Sequence, residues 1–290
     1  MKTAKSGVSR IAEKLSVKGY SHKLNGKPCQ DSSSAWSEER YSAIIVCDGH
    51  GGDKYIYSAD GSKLACEYGQ SMIRQFMSDI YSVDGCILNR FNADDMLTHL
   101  EQSIITQWRK QVEKKNPLEG SRFTRLSPKD QESLLKNPVK AFGTTFIAAV
   151  LADEFCFVLQ LGDGNALFYH ADGKVEDPAE LADDTLQFNL TTSMCNSDAA
   201  QSFRHCFRSN EDGDICGVTL TSDGVANCYR SIEQYASFMK NVYLAFGEDG
   251  PKAAAAELKD VLRTLSEKGS GDDLSVAIVR DCPTATKLGG

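Results

Sequence analysis

The sequence predicts an α+β fold in which two antiparallel sheets pack together with helices on the outside. Six stretches are rich in β-branched and aromatic residues, at 41–47, 144–151, 155–161, 166–170, 216–221 and 274–280. Three of these follow one another across connections of only two and four residues, too short for a parallel crossover, so 144–151, 155–161 and 166–170 are expected to be antiparallel neighbours. Their apolar runs are nearly continuous, which requires cover on both faces. Packing sheet on sheet with helices outside satisfies that requirement.

The helices follow from periodicity. Leu97, Leu100, Ile104, Trp108 and Val112 recur at spacings of three or four and predict a helix over 94–114, with Asp94 and Asp95 at its positive end. Leu258, Val261, Leu262 and Leu265 predict another over 253–268, with Gly269 past its end. Weaker patterns cover 55–78 and 231–246. No linker, low-complexity tract or repeat divides the 290 residues, so one domain is expected over 1–290, with its core at 19–280. A helical and loop excursion is expected over about 80–138, where 114–138 is polar and punctuated by proline.

Composition narrows the function. A net charge of −8 disfavours a nucleic-acid or anionic-membrane surface. The ten cysteines show no C-x-x-C pair and there is no H-E-x-x-H, so neither a zinc site nor a redox dithiol is expected. A chain of this length does not depend on disulfide staples, and free thiols in a reducing compartment follow. The first residues lack the apolar stretch of a signal peptide and nothing approaches a membrane span, so a cytoplasmic protein is expected.

Asp-Gly occurs at Asp48, Asp60, Asp84, Asp163, Asp172, Asp212, Asp223 and Asp249. Alone, the pair marks a turn. Asp48, Asp163 and Asp223, however, each come directly or within two residues after an apolar strand, and Asp272 lies just before one. Four carboxylates converging at strand ends repel unless a cation sits among them. Carboxylate and carbonyl oxygens suit hard Mg²⁺ or Mn²⁺, and Gly49 and Gly51 let the main chain approach an ion.

The motifs "VCDGHGG" (46–52), "FGTTF" (142–146), "LQLGDGNA" (159–166), "LTSDGVAN" (220–227) and "GDDLSVAIV" (271–279) occur in the order and approximate spacing of the metal-dependent protein phosphatases of type 2C. The opening "GYSHKLNGKPCQDSS" (19–33) resembles the amino-terminal motif of that family's bacterial branch. The resemblance covers nearly the whole chain. It implies a four-layer αββα sandwich with two or three Mn²⁺ or Mg²⁺ ions at one end, hydrolysing phosphoserine and phosphothreonine in proteins and opposing a Ser/Thr kinase. By motif position Asp48 would bridge two ions, the Gly49 carbonyl would bind one, Asp223 and Asp272 would hold the other, and Asp163 would serve an outer or third ion. Asp31 would support metal-bound water. His50 would protonate the leaving alkoxide, and Thr145, beneath the site, would help place an ion while Thr144 packs.

Some positions depart from the family pattern. Gln30 stands where the family commonly has Glu. The basic residue that grips phosphate has no clear counterpart: its position falls near Gly26, with His22, Lys23 or Lys27 within reach. Asp273 stands where Asn is usual and reads as a supporting or surface acid. The sixty residues between Asp163 and Asp223 resemble members with a reduced flap. Within them the basic stretch 203–214 reads as a solvated edge ahead of a substrate-facing surface. A catalytically inactive relative that binds phosphoproteins is the alternative suggested by Gln30 and the missing basic grip. Retention of four mutually repelling acids speaks against it, and a hydrolase of small phosphoesters is a further alternative.

Overall fold

Antiparallel pairing builds two five-stranded sheets. In this computed structural model, which describes residues 9–81, 85–115, 117–182, 191–209 and 214–282, the first sheet comprises β1 (Arg10–Val17), β6 (Asn165–His170), β7 (Val175–Glu176), β9 (Ile215–Thr221) and β10 (Leu274–Asp281), in the order β1-β10-β9-β6-β7. The second comprises β2 (Ser32–Ser37), β3 (Tyr41–Cys47), β4 (Phe146–Ala152), β5 (Phe155–Leu161) and β8 (Arg204–Ser209), in the order β2-β3-β4-β5-β8. The carboxy-terminal stretch 286–290 and the acids Asp84 and Asp212 lie outside the described residues.

Alternation within the strands makes the layers. Ile44, Val46, Ile147, Ala149 and Val158 meet Phe168, Val218, Leu220, Ala277 and Val279 between the sheets. The other faces of β3, β4 and β5 pack on α2 (Ser58–Ile80) and α3 (Ala93–Val112) through Ile45, Phe146, Ala148, Ile73, Leu97 and Trp108. On the opposite side, β10 and its neighbours pack on α7 (Ile232–Glu248) and α8 (Pro251–Lys268) through Val276, Ile278, Tyr235, Met239, Leu258 and Leu262. This is the expected four-layer sandwich. The remaining helices are short: α1 (Tyr20–Leu24), α4 (Ser121–Thr124), α5 (Pro128–Lys136) and α6 (Asp223–Ala226).

One expected pairing is overturned. β4 and β5 are antiparallel neighbours, with Phe146 opposite Leu161, but β5 and β6 belong to different sheets. The three residues between them, Gly162, Asp163 and Gly164, turn a corner from one sheet to the other. Gly162 takes φ +108°, which L side chains rarely adopt, and a Cβ at Gly164 would stand 2.9 Å from the Thr221 carbonyl. Asp163 sits at this corner.

β1, β2, β7 and β8 were not legible as strands. β2 reads SSSAWS, with serine where a strand pattern needs apolar residues. β8 lies within the stretch read as a solvated edge, and it is an edge strand paired to β5, with Cys206 buried. All ten cysteines are unbridged. Among the described residues no helix is long and apolar enough to cross a membrane.

Helix α2 lies close because of small residues. A Cβ at Gly61 would overlap the Phe142 carbonyl, and the Gly61 carbonyl itself accepts a 3.0 Å bond from Trp108 Nε1. Alanine favours a helix interior by about 1 kcal/mol over glycine. Overpacking costs about 1–3 kcal/mol and outweighs that preference here, so Gly61→Ala is expected to lower Tm in a thermal melt.

A second test concerns the α3–β8 contact, where His205 holds buried Glu101 at 2.9 Å and exposed Asp94 at 3.0 Å. The Glu101 bond raises the His205 pKa, and burial raises that of Glu101. The raised His205 value contributes stability that is present below its unfolded pKa and lost as pH rises through the folded pKa, while the burial that raises Glu101 is a penalty felt as that carboxyl ionises. The fall in Tm between about pH 6 and pH 9 is therefore expected to be larger in the wild type than in His205→Gln.

Candidate metal centre

Strand register decides which residues share a pole. Ser32 lies opposite Cys47, Val46 opposite Ile147 and Phe146 opposite Leu161, so Asp31, Asp48, Thr145 and Asp163 all leave the second sheet at the same end. In the first sheet Thr221 lies opposite both Val276 and Asn165, so Asp223 and Asp272 leave together. The two ends are joined: the Gln30 amide donates to Asp273 Oδ2 at 2.6 Å.

Asp48 is held by its backbone. Its amide donates to Thr145 Oγ1 at 2.9 Å, and its carbonyl accepts from the Thr145 amide and the Thr144 hydroxyl, each at 2.8 Å. Both threonines are buried. They hold the residue carrying the carboxylate without touching the carboxylate itself. Gly49 continues the bridge opposite Thr144, and a Cβ there would stand 2.5 Å from the Gln30 carbonyl and 2.9 Å from that of Ser58. Gly51 has room for a side chain, so the close approach is made at Gly49 alone.

Gln30 and Asp31 lead into β2. The Gln30 amide group donates to the His50 carbonyl at 3.1 Å and to Ser58 Oγ, while its Oε1 is buried without a hydrogen-bond partner. Both Asp31 carboxylate oxygens are likewise buried and unpartnered. Burial, and then the Asp273 charge, push the Asp31 pKa up to about 8. Asp273 is 2% exposed and accepts from the Gly19 amide at 2.5 Å, the Gln30 amide and His22 Nδ1 at 3.0 Å. It is therefore the buried tie between α1 and the start of β2, not a surface acid, and His22 is bound into that tie. Gly26 occupies a turn at φ +67° with open space around it.

The remaining acids close in from the other strands. Asp223 opens α6, where Asn227 Nδ2 donates to its Oδ2 at 3.0 Å. Asp272 Oδ1 accepts from the Asp273 amide at 2.8 Å. Arg204 Nη2 donates to the Gly162 carbonyl at 2.6 Å beside Asp163. The acids sense one another. Burial raises the Asp48 pKa well above the ordinary carboxylate range, and Asp31, Asp223 and Asp272 raise it further. Asp163 and Asp272 are raised by burial first, and both also feel Asp223. Asp48, Asp163, Asp223 and Asp272 thus meet in one place, with Asp31 behind them.

Among the described residues no group of three or more His, Cys, Asp or Glu side chains stands as placed in an arrangement that could hold a metal ion. The donor chemistry nevertheless fits a hard divalent cation: oxygen ligands from several strands, carboxylates that oppose one another's ionisation, and buried orphan oxygens on Asp31 and Gln30. Soft ligands are not on offer, because burial and the neighbouring acids push the nearby Cys29 thiol up to about 12.

His50 differs from the acids. Its ring packs edge-on against Tyr55 with centroids 4.8 Å apart, and burial, then Lys54, lower its pKa to about 4. Among the described residues no carboxylate bonds to it, so the ring is neutral near pH 7 in the metal-free protein. Sequence reasoning missed Arg204 and the Ser222–Ser275 pair, in which the Ser275 amide donates to Ser222 Oγ at 3.0 Å. Arg204 lies in the stretch read as a solvated edge, and Ser222 and Ser275 lie within the motifs at 220–227 and 271–279, where only the acids were singled out.

Comparison with known proteins bears on the family and the fold. A family model described as protein phosphatase 2C matches residues 18–263. Asp272 and β10 lie beyond that match, and the pairing of β10 with β9 carries them to the site. The serine/threonine phosphatase Stp1 from Staphylococcus aureus is 13% identical, with a TM-score of 0.60 over 96% of this chain and 97% of that one. The Mycobacterium tuberculosis serine/threonine phosphatase PstP/Ppp is 14% identical, with a TM-score of 0.55 over 94% and 99%. A PstP catalytic domain in complex with two manganese ions is 17% identical, with a TM-score of 0.52 over 94% and 98%. At such identities the likeness is one of fold. No curated protein sequence matches. On the family match, this chain belongs to the protein phosphatase 2C family.

Proposed function

We propose that this chain is a phosphoprotein phosphatase that hydrolyses phosphoserine and phosphothreonine with Mn²⁺ or Mg²⁺ at the acid pole, opposing a Ser/Thr kinase in the cytoplasm. The observation that carries the proposal is the convergence of Asp48, Asp163, Asp223 and Asp272 from distant parts of the chain. When bound, paired divalent ions supply a nucleophilic water at neutral pH and neutralise phosphoryl charge.

The residues divide this work. Asp48, Asp223, Asp272 and the Gly49 carbonyl would hold two ions, and Asp163, at the corner between the sheets, an outer one. Thr144 and Thr145 keep the Asp48 backbone from shifting. Asp31 and the free Oε1 of Gln30 offer buried acceptors for protons or water in the same place. His50 is the candidate proton donor to the leaving alkoxide. With its pKa near 4 in the metal-free protein, that role depends on acquiring a proton in the loaded site. A binding-only domain would bear the mutual repulsion of these acids without gaining turnover, and this weighs against a non-catalytic phosphoprotein binder.

Hydrolysis of p-nitrophenyl phosphate is expected with Mn²⁺, to vanish in EDTA, and to fall by about a hundredfold or more in Asp223→Asn. Phosphopeptide binding without metal-dependent turnover would instead identify a binding module. Removing one acid relieves the others, so Asp48→Asn is expected to raise the Tm of the metal-free protein while abolishing the further rise that Mn²⁺ produces in the wild type. For His50→Ala the rate should fall on alkyl phosphoesters and much less on p-nitrophenyl phosphate, whose leaving group needs no proton. An unchanged alkyl rate removes His50 from the reaction.

A further inference from the structure

Beside the acid pole lies a cleft of about 470 Å³, lined by Lys14 and Ser16 of β1, Asp31 just before β2, Ser32 and Ser33 of β2, and Lys63 of α2. β1 and β2 are the edge strands of their sheets, each paired on one side only, and Ser16 Oγ and Ser33 Oγ link them at 2.8 Å. The cleft therefore follows the open edge of the sandwich and shares Asp31 with the site.

Two lysines line it against one acid, the buried Asp31. In a chain with a net charge of −8, the cleft carries two exposed lysines. Among the described residues neither forms an ion pair or a side-chain hydrogen bond, and Glu67, one helical turn from Lys63, forms none with it. Their positions set a spacing. Ser62, next to Lys63, donates its hydroxyl to the Gln30 carbonyl, which puts Lys63 beside the pole. Val17 lies opposite Leu274 at the pole, and Lys14 is three residues further along β1, roughly 10 Å away at the rise of an extended strand.

We propose that this cleft holds the flanking chain of an acidic phosphopeptide in extended form, with Lys63 meeting a carboxylate close to the phosphorylated residue and Lys14 one about three residues away. The proposal rests on the phosphatase reading for its substrate. It also predicts a preference that the acid pole alone cannot produce, since the pole discriminates the phosphoryl group and not its neighbours.

The test uses the full chain and three substrates: p-nitrophenyl phosphate, a phosphothreonine peptide with Asp at the first and third positions on both sides, and the same peptide with Lys there. In Lys14→Glu/Lys63→Glu, kcat/KM on the acidic peptide is expected to fall about tenfold and that on the basic peptide to rise, while p-nitrophenyl phosphate is unaffected. The wild-type preference should shrink at high salt. Equal changes on both peptides, or none, would overturn the proposal. If the wild type turns over no substrate, the phosphatase reading has failed, and fluorescence anisotropy of the same peptides then decides on the cleft. Preferential binding of the acidic peptide that the double variant loses supports it, and equal binding refutes it.

Discussion

Repulsion among buried carboxylates is the constraint on which the rest of the site depends. β-Strand register delivers Asp48, Asp163, Asp223 and Asp272 to one pole, with Asp31 behind them. The pKa values of Asp31, Asp48, Asp163 and Asp272 move upward together because each of these four is desolvated and has an acid for a neighbour. Hydrophobic burial between the sheets and under the helices holds this unfavourable arrangement in place. The acids are a local cost offset by the stability of the sandwich, and that cost is what makes the pole receptive to cations.

Positioning of the pole is mostly main-chain work. Thr144 and Thr145 lock the Asp48 backbone, and Gly49 lets three segments approach one another. Asp273 gathers the Gly19 and Gln30 amides and the His22 ring. The family commonly has Asn at the position of Asp273, where one carboxylate here serves three donors. Gln30, in the place of a usual Glu, removes one formal negative charge that Asp273 returns, and its amide nitrogen instead ties the His50 carbonyl to Ser58.

Much of this was legible in the sequence, and the failures have physical causes. Apolar strands such as 41–47 and 155–161 were found to the residue because both faces are buried and the pattern is continuous. The positions of the acids at the strand ends followed from them. The link from β5 to β6 was misread, since a connection this short serves a hairpin and a sheet-to-sheet corner equally well and only tertiary packing distinguishes them. β2 and β8 escaped because edge strands carry serine and arginine where central strands carry valine. The partners of Asp273 and the bond from Arg204 to Gly162 are contacts between segments far apart in sequence, and no local pattern encodes them.

Soaking a crystal of the protein in Mn²⁺ and mapping the anomalous scattering tests the central claim most directly. The account predicts at least two peaks at the pole, with carboxylate oxygens of Asp48 and Asp223 within about 2.0–2.3 Å of manganese. A map with no peak there, or with manganese bound only at unrelated surface acids, would contradict it.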